Sequence, residues 1–137
     1  MNILKTLFSR LFHDKHHAKG HIGKIECRDG VTIVRLKGDI TFDTLSSIHH
    51  EHIDRFKGAD IKNVLADFKD VVNIDTGVIV ALVSRLKEMR SIGKDGRIGL
   101  INLSDKMRIL LDISKTKDLF IEYRSEDAAV MDLSKRG

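Results

Sequence analysis

Hydrophobic positions follow helical spacing at the start of the chain and then alternate between strand and helix patterns. Residues 1–12 place apolar side chains on one side of a predicted helix, with Lys5 and Arg10 on the other side. Residues 13–23 show no periodicity and indicate a linker. We therefore predict a basic, amphipathic extension with its linker over residues 1–23, and one folded domain over residues 24–137. The apolar stripe of the extension consists of Ile3, Leu4, Leu7, Phe8, Leu11 and Phe12.

The domain pattern begins with two strands and continues with helices and strands in turn. Asp29-Gly30 separates the first two strands and is typical of a tight hairpin turn. A hairpin followed by alternating helices and strands predicts an α/β fold with a mixed, mainly parallel sheet. The predicted strands cover residues 24–28, 31–37, 63–67, 97–102 and 119–123. The predicted helices run from 43 or 44 to 56, from 76 to 93, from 104 or 105 to 113, and from 125 to 132.

Two shorter stretches complete this reading of the pattern. Residues 38–42 are predicted to form a loop, and residues 71–74 an apolar lead-in to the second helix. Serine is a good helix N-cap, so Ser104 or Asp105 is expected to begin the third predicted helix and Ser125 the last one.

The positive charge of the protein is concentrated in its first 24 residues. That segment has five basic residues and one acid, Asp14, which accounts for the whole formal charge of +4. The rest of the domain is close to neutral, and an aromatic content of 5% without Trp leaves few stacking surfaces. Nucleic-acid binding needs a basic stripe or stacking aromatics, so no nucleic-acid partner is expected.

Cysteine usage and hydropathy indicate a cytoplasmic protein. Cys27 is the single cysteine, so no internal disulfide is expected and a reducing compartment is favoured. No apolar run approaches the length of a membrane span. Arg10 interrupts the apolar stretch that a signal peptide would need.

The motif Asp75-Thr76-Gly77 stands between the apolar lead-in and the second predicted helix. A hydroxyl there lies at a helix N-terminus, where unpaired N–H groups and the helix dipole favour a phosphate. The simpler interpretation is an N-cap formed by Asp75 or Thr76. The helix has a predicted buried face of Ile79, Leu82, Val83, Leu86 and Met89. A second face aligns Thr76, Val80, Ser84 and Lys87 and is predicted to be a docking surface with a hydroxyl at its tip.

The predicted loop before the first helix is a second candidate for this surface. Its sequence is Gly38-Asp39-Ile40-Thr41-Phe42, followed by Asp43 and Thr44. Loops at one end of a parallel sheet lie side by side, so Asp39 and Thr41 are expected near Thr76. Phe42 is expected to be an exposed aromatic contact.

No motif in the sequence predicts an enzyme, a cofactor or a metal site. The histidines form two groups, at residues 13–21 and 49–52, without the convergent spacing of metal ligands. Phosphate-binding glycine motifs, nucleophile elbows and zinc-binding HExxH pairs do not occur. Asp67, Asp70 and Asp75 are close in sequence, but their spacing does not mark an acid/base pair.

Residues 24–133 resemble the STAS family, named for sulfate transporters and anti-sigma factor antagonists. Ile74-Asp75-Thr76-Gly77 resembles the family's phosphoacceptor motif of a hydrophobic residue, Asp, Ser or Thr, and any residue. Gly38-Asp39-Ile40 and Thr44 resemble its Gly-Glu-Leu-Asp-x-x-Thr loop, and Ser104 to Ser114 resembles the short helix after its fourth strand.

The resemblance implies a STAS fold with four to five strands and about four helices. It implies a regulator that binds its partner around the motif and releases it when a kinase anti-sigma factor phosphorylates Thr76. Asp75 would orient the phosphoacceptor, and a phosphatase would complete the cycle. The implied partner-binding residues are Asp39, Thr41, Phe42, Asp75, Gly77, Val80 and Ser84.

Two other functions fit the same sequence. One is a constitutive STAS scaffold subunit of a membrane complex of the lipid-transport type, which needs the docking face but no phosphate cycle. The other is a small-ligand domain with an apolar pocket near Phe42. The extension itself has three interpretations, which are a dimer contact, binding to an anionic membrane surface, and packing on the domain.

Overall fold

Five strands form one sheet in the part of the chain that the computed structural model describes, residues 21–41, 43, 62–91 and 96–136. They lie side by side in chain order, as β1 (His21–Arg28), β2 (Val31–Ile40), β3 (Asn63–Ile74), β4 (Arg97–Ile101) and β5 (Ile121–Glu122). β1 and β2 are antiparallel, and all the other neighbours are parallel. This arrangement confirms the predicted mixed, mainly parallel sheet.

Three α-helices lie within the same described residues. They are α1 (Gly77–Ser91), α2 (Asp105–Ile113) and α3 (Glu126–Arg136), and a 3-10 turn (Lys117–Leu119) precedes β5. The predicted helix of residues 1–12 and the predicted helix ending at 56, except for residue 43, lie outside the described residues. Phe42 and the predicted helix end at Gly93 lie outside them too.

The turn between β1 and β2 is the predicted hairpin. Asp29 and Gly30 both have positive φ, 50° and 79°, as a two-residue type I′ turn requires. β1 begins at His21, three residues before the predicted strand and inside the predicted linker, because β2 offers pairing partners as far as Lys37.

Two predicted interruptions of the sheet do not exist. Residues 38–40, predicted as a loop, continue β2, and a register shift after Gly38 accommodates the positive φ of 79° of that residue. Residues 63–67 and 71–74 belong to one strand, β3, because pairing with β2 continues through to Ile40↔Ile74. At the other edge the last predicted strand shortens to Ile121–Glu122, since Leu119 lies in the 3-10 turn.

Alternation along the strands divides the core between the two faces of the sheet. Val64, Ala66 and Phe68 face one core with α1 and α2, whereas Leu65 faces the other with α3. The predicted buried face of α1 is confirmed, with three members fully buried and Leu82 and Val83 partly buried against the same core. The second core consists of Val31, Ile33, Leu65, Ile101, Ala129, Val130 and Leu133, with Tyr123 beside it.

Serine caps begin two of the helices, as predicted. Ser104 Oγ accepts the N–H of Met107 at 3.1 Å before α2. Ser125 Oγ accepts the N–H of Ala128 at 3.1 Å before α3. Each cap satisfies one of the N–H groups that a helix start leaves without a partner.

Arg35 on β2 ties three strands to the last helix. Its guanidinium contacts Glu26 on β1 at 3.1 Å, Asp67 on β3 at 2.8 Å and Glu126 on α3 at 2.7 Å. Arg28 holds Glu126 as well, at 2.8 Å. The contact with Asp67 matters most for stability, because only 7% of that side chain is exposed and a buried charge needs partners.

Asp67 lies where β4 leaves the side of β3. Its Oδ1 accepts the Lys69 backbone N–H at 3.0 Å and the side-chain amide of Asn102 at 2.8 Å. Burial disfavours the charged carboxylate, but these hydrogen bonds and the Arg35 guanidinium outweigh burial and hold the pKa of Asp67 below its ordinary value. The carboxylate thus gives the Lys69 N–H the acceptor that a neighbouring strand would otherwise supply.

Replacing Asp67 with Asn should lower the free energy of unfolding at pH 7 by about 1–3 kcal/mol, since Asn cannot offer a charged acceptor to Arg35. The lowered pKa means that ionised Asp67 stabilises the fold above its unfolded value of 3.8. That contribution disappears as pH falls through the folded-state pKa. Urea unfolding of wild type and Asp67→Asn should therefore differ at pH 7, and the difference should shrink as pH falls below 3.8 towards the folded-state pKa; a difference that stays constant over this range would contradict the assignment.

Gly99 on β4 should tolerate no side chain. A Cβ there would lie 2.7 Å from Tyr123 Cε2 and 3.2 Å from Leu133 Cδ1, so Gly99→Ala should destabilise the protein by about 1–3 kcal/mol. Gly23→Ala is the matched control, because its Cβ would meet neighbours no closer than 3.4 Å. Thermal unfolding of both variants measures the difference, and equal melting temperatures would refute the proposed contact.

Candidate functional site

The candidate site begins where β3 ends and α1 starts. Ile74 is buried, Asp75 and Thr76 are exposed, and Gly77 is the first helical residue. The predicted position of a hydroxyl immediately before a helix is therefore present. No hydrogen-bond partner of the Thr76 hydroxyl occurs among the described residues, which leaves that oxygen accessible.

The first turn of α1 satisfies its own backbone. Asp75 Oδ1 accepts the Gly77 N–H at 2.8 Å, and the Asp75 carbonyl accepts the Val78 N–H at 3.1 Å. The Thr76 carbonyl accepts the next two N–H groups, at 3.1 and 3.3 Å. The expectation that unpaired N–H groups here would favour a phosphate is wrong, because all four have acceptors within the turn. The helix dipole is the part of that argument that remains.

The outward side of α1 carries the predicted docking face. Thr76, Val80, Ser84 and Lys87 are all exposed, and Val80 has 53% of its surface accessible although it is apolar. Gly77, which was also predicted to contact a partner, is buried beneath this face. The face is therefore small and mixed in polarity, with the Thr76 hydroxyl at its end.

The end of β2 lies beside the motif, as predicted from loop positions. Asp39 pairs in register with Asn73, whose side-chain amide donates to Asp39 Oδ1 at 2.8 Å. Thr41 follows the strand and is half-buried. The residues of the predicted loop that the structure describes thus reach the same end of the sheet as Thr76.

Asp43 belongs to this site, although the sequence suggested only a helix cap for it. The side chain is half-buried. Burial raises the pKa of Asp43, and the negative charge of Asp75 raises it further, so the two carboxylates are close enough to interact. Sequence spacing alone could not reveal this, because more than 30 residues separate the two positions.

We define the motif surface as Asp39, Asp43, Asp75, Thr76, Val80 and Ser84. The described residues 39–41, 43 and 70–76 at this end of the sheet contain four aspartates and no basic residue. The surface exposes the Thr76 hydroxyl, and the described ranges just given contain no cation that could neutralise an anion there.

A groove beside the motif surface is the candidate for a small ligand. It encloses about 150 Å³, which is below the roughly 300–1,000 Å³ typical of small-molecule sites. Val72 and Lys106 lie on its rim and are exposed. The groove is lined by Phe68, Val71, Val72, Asn73, Ile74, Ser104, Lys106 and Met107.

The described part of the chain contains neither a metal-ligand cluster nor a helix of membrane-spanning length. No group of three or more His, Cys, Asp or Glu side chains there could hold a metal ion. None of the helices described above is long and apolar enough to cross a membrane.

Comparison with solved structures shows the same fold in several bacterial regulators. An anti-sigma-factor antagonist (STAS) domain protein from Planctomyces limnophilus superposes with a TM-score of 0.69 at 17% identity, covering 83% of this chain and 98% of that chain. An anti-sigma factor antagonist from Mycobacterium paratuberculosis gives 0.67 at 17% identity, covering 80% and 91%. The Bacillus cell fate determinant SpoIIAA in its phosphorylated form gives 0.57 at 20% identity, covering 77% and 94%.

Sequence comparison supplies the family. Curated protein sequences gave no significant match. The family model of the STAS domain, in contrast, matches residues 24–129, which is most of the chain. This range includes every strand from β2 to β5 and all residues of the motif surface. The protein is thus a member of the STAS domain family.

Proposed function

We propose that this protein is a cytoplasmic regulatory module that binds a partner protein through the motif surface and is controlled by phosphorylation of Thr76. The observation that carries the proposal is the exposed Thr76 hydroxyl, which no described residue binds, at the junction of the β2 end, the β3 end and α1. The partners implied by the family are an anti-sigma factor acting as a serine/threonine kinase, and a phosphatase.

Family membership supports a regulatory role. STAS domains that resemble SpoIIAA are generally regulatory modules without catalytic activity. SpoIIAA itself has been solved in an unphosphorylated and a phosphorylated form. The resemblance of Ile74-Asp75-Thr76-Gly77 to the family's phosphoacceptor motif supports the extension of this comparison to Thr76.

The structure suggests how a phosphate would act. It would add close to two negative charges beside Asp43 and Asp75. The backbone N–H groups of α1 already have acceptors, so they would not draw the phosphate inward. Two like charges about 5 Å apart repel by roughly 3 kcal/mol at an effective dielectric constant near 20. A partner with acidic atoms over Thr76 would therefore lose affinity by about two orders of magnitude.

Thr76→Glu should lose a partner that wild type and Thr76→Ala both retain. Capture from lysate of the source organism, with quantitative mass spectrometry, measures this, and intact-mass analysis of the native protein detects the phosphate. Ser134→Glu is the matched control, because it adds the same charge to an exposed position on α3, which packs on the other face of the sheet. Equal capture by all four proteins, with no phosphate on Thr76, would refute the switch and favour the constitutive scaffold of a membrane complex.

Stability measurements should separate the structural roles of Asp75 and Thr76. Asp75→Ala removes the acceptor of the Gly77 N–H and should cost about 1 kcal/mol of unfolding free energy, whereas Asp75→Asn keeps an acceptor and should cost less. Thr76→Ala should change stability by less than about 0.5 kcal/mol, because the lost hydroxyl lies on the surface. Urea unfolding tests this order, and a large loss for Thr76→Ala would assign its hydroxyl a structural role.

A further inference from the structure

The sheet topology brings the chain before β1 to the same end of the molecule as the motif surface. β1 runs antiparallel to β2 and begins with His21 opposite Lys37, which in turn pairs with Asp70 on β3. Two strand spacings separate His21 from Asp70, a distance of about 10 Å. Residues 1–20 therefore join the domain beside the motif surface.

Within the described residues, the acids of the motif end lack the arginine partners that several other acids have. None of Asp39, Asp43, Asp70 and Asp75 forms an ion pair with any residue in the described part of the chain. Six acids elsewhere have an arginine partner: Glu26, Asp67, Asp105, Glu122, Glu126 and Asp127. The nearest bases along the strands are Lys37, which pairs in register with Asp70, and Lys69. Asp39, Asp43 and Asp75 thus lie on the motif surface without an ion pair to any described residue.

The sequence of residues 1–20 complements this surface in charge and in polarity. It has Lys5, Arg10, Lys15 and Lys19 against the single acid Asp14. Its apolar stripe requires an apolar contact, and Val80, 53% exposed between the small residues of the α1 face, offers one. A basic, amphipathic segment and an acidic surface with an exposed valine fit each other.

The segment is also long enough. Thr76 lies six residues beyond Asp70, about 20 Å along the strand direction, so it is roughly 22 Å from His21. The eight residues 13–20 span up to about 26–29 Å when extended. A helix of residues 1–12 would be about 18 Å long, enough to cover the motif surface.

We propose that residues 1–20 dock on the motif surface of their own chain and compete there with the partner protein. Phosphate on Thr76 would add negative charge to the surface and strengthen this docking. The competition with a partner rests on the proposed function, whereas the docking itself does not require it.

Paramagnetic relaxation in the full chain tests the docking. A nitroxide is attached at Ser9→Cys in a Cys27→Ser background, since Cys27 is exposed and would react too. The amide signals of Thr76, Val80 and Ser84 should lose roughly half or more of their intensity, while Ser134 on α3 stays unchanged. The loss should diminish at about 1 M salt, where the Debye length falls to about 3 Å.

Charge variants provide the matched control. Asp43→Asn with Asp75→Asn should reduce the intensity loss, whereas Asp112→Asn with Asp118→Asn, which removes the same charge from α2 and the 3-10 turn, should not. Equal effects from both pairs would overturn the proposal.

Three further results would also overturn it. Intensity loss in a mixture of labelled, unenriched protein with unlabelled, ¹⁵N-enriched protein would assign the contact to a second copy. Unchanged motif signals in the protein alone, with binding to vesicles of mixed neutral and anionic phospholipid, would assign the segment to a membrane. Unchanged signals without vesicle binding would leave the motif surface uncovered. All of these measurements are made on unphosphorylated protein, so failure of the docking and failure of the switch are distinguishable.

Discussion

The site depends on what happens at Asp67, where β4 stops pairing with β3 while β2 continues. β4 pairs with β3 as far as Asp67↔Ile101, whereas β2 pairs with β3 on to Ile40↔Ile74. A strand that loses one neighbour exposes backbone N–H groups, and the Asp67 carboxylate answers this by accepting the Lys69 N–H and binding Asn102. The ion pair with Arg35 offsets the cost of burying the Asp67 charge. Beyond this point β2 and β3 continue as a two-stranded extension, and Asp39, Asp75 and Thr76 lie at its end.

The extension determines what the site can do. The buried side chains of Ile40 and Ile74 anchor its end, so Asp39 and Thr76 sit on adjacent, fixed strand ends. The α1 start is closed by Asp75 and by its own carbonyl groups, which removes the usual means of holding an anion at a helix N-terminus. A charge added at Thr76 would therefore find no free backbone N–H group in the first turn of α1 and would act on a partner bound over it.

Local sequence signals predicted the elements whose geometry is decided locally. The Asp29-Gly30 turn, the Ser104 and Ser125 caps and the buried face of α1 are all of this kind, because each depends on residues within a few positions. The predicted strand lengths were wrong where pairing with a neighbouring strand overrode local preference. Gly38-Asp39 resembles a turn, yet the β2–β3 ladder runs through it with a register shift. The proximity of Asp43 to Asp75 and the partners of Asp67 arise from contacts between distant segments, which periodicity does not record.

We propose that phosphate on Thr76 controls partner binding at the motif surface. The most direct test is isothermal titration calorimetry of the captured partner against two otherwise identical samples, one unphosphorylated and one stoichiometrically phosphorylated on Thr76. Kd should rise by about two orders of magnitude on phosphorylation, the effect of roughly 3 kcal/mol. Equal Kd values for the two samples would contradict it.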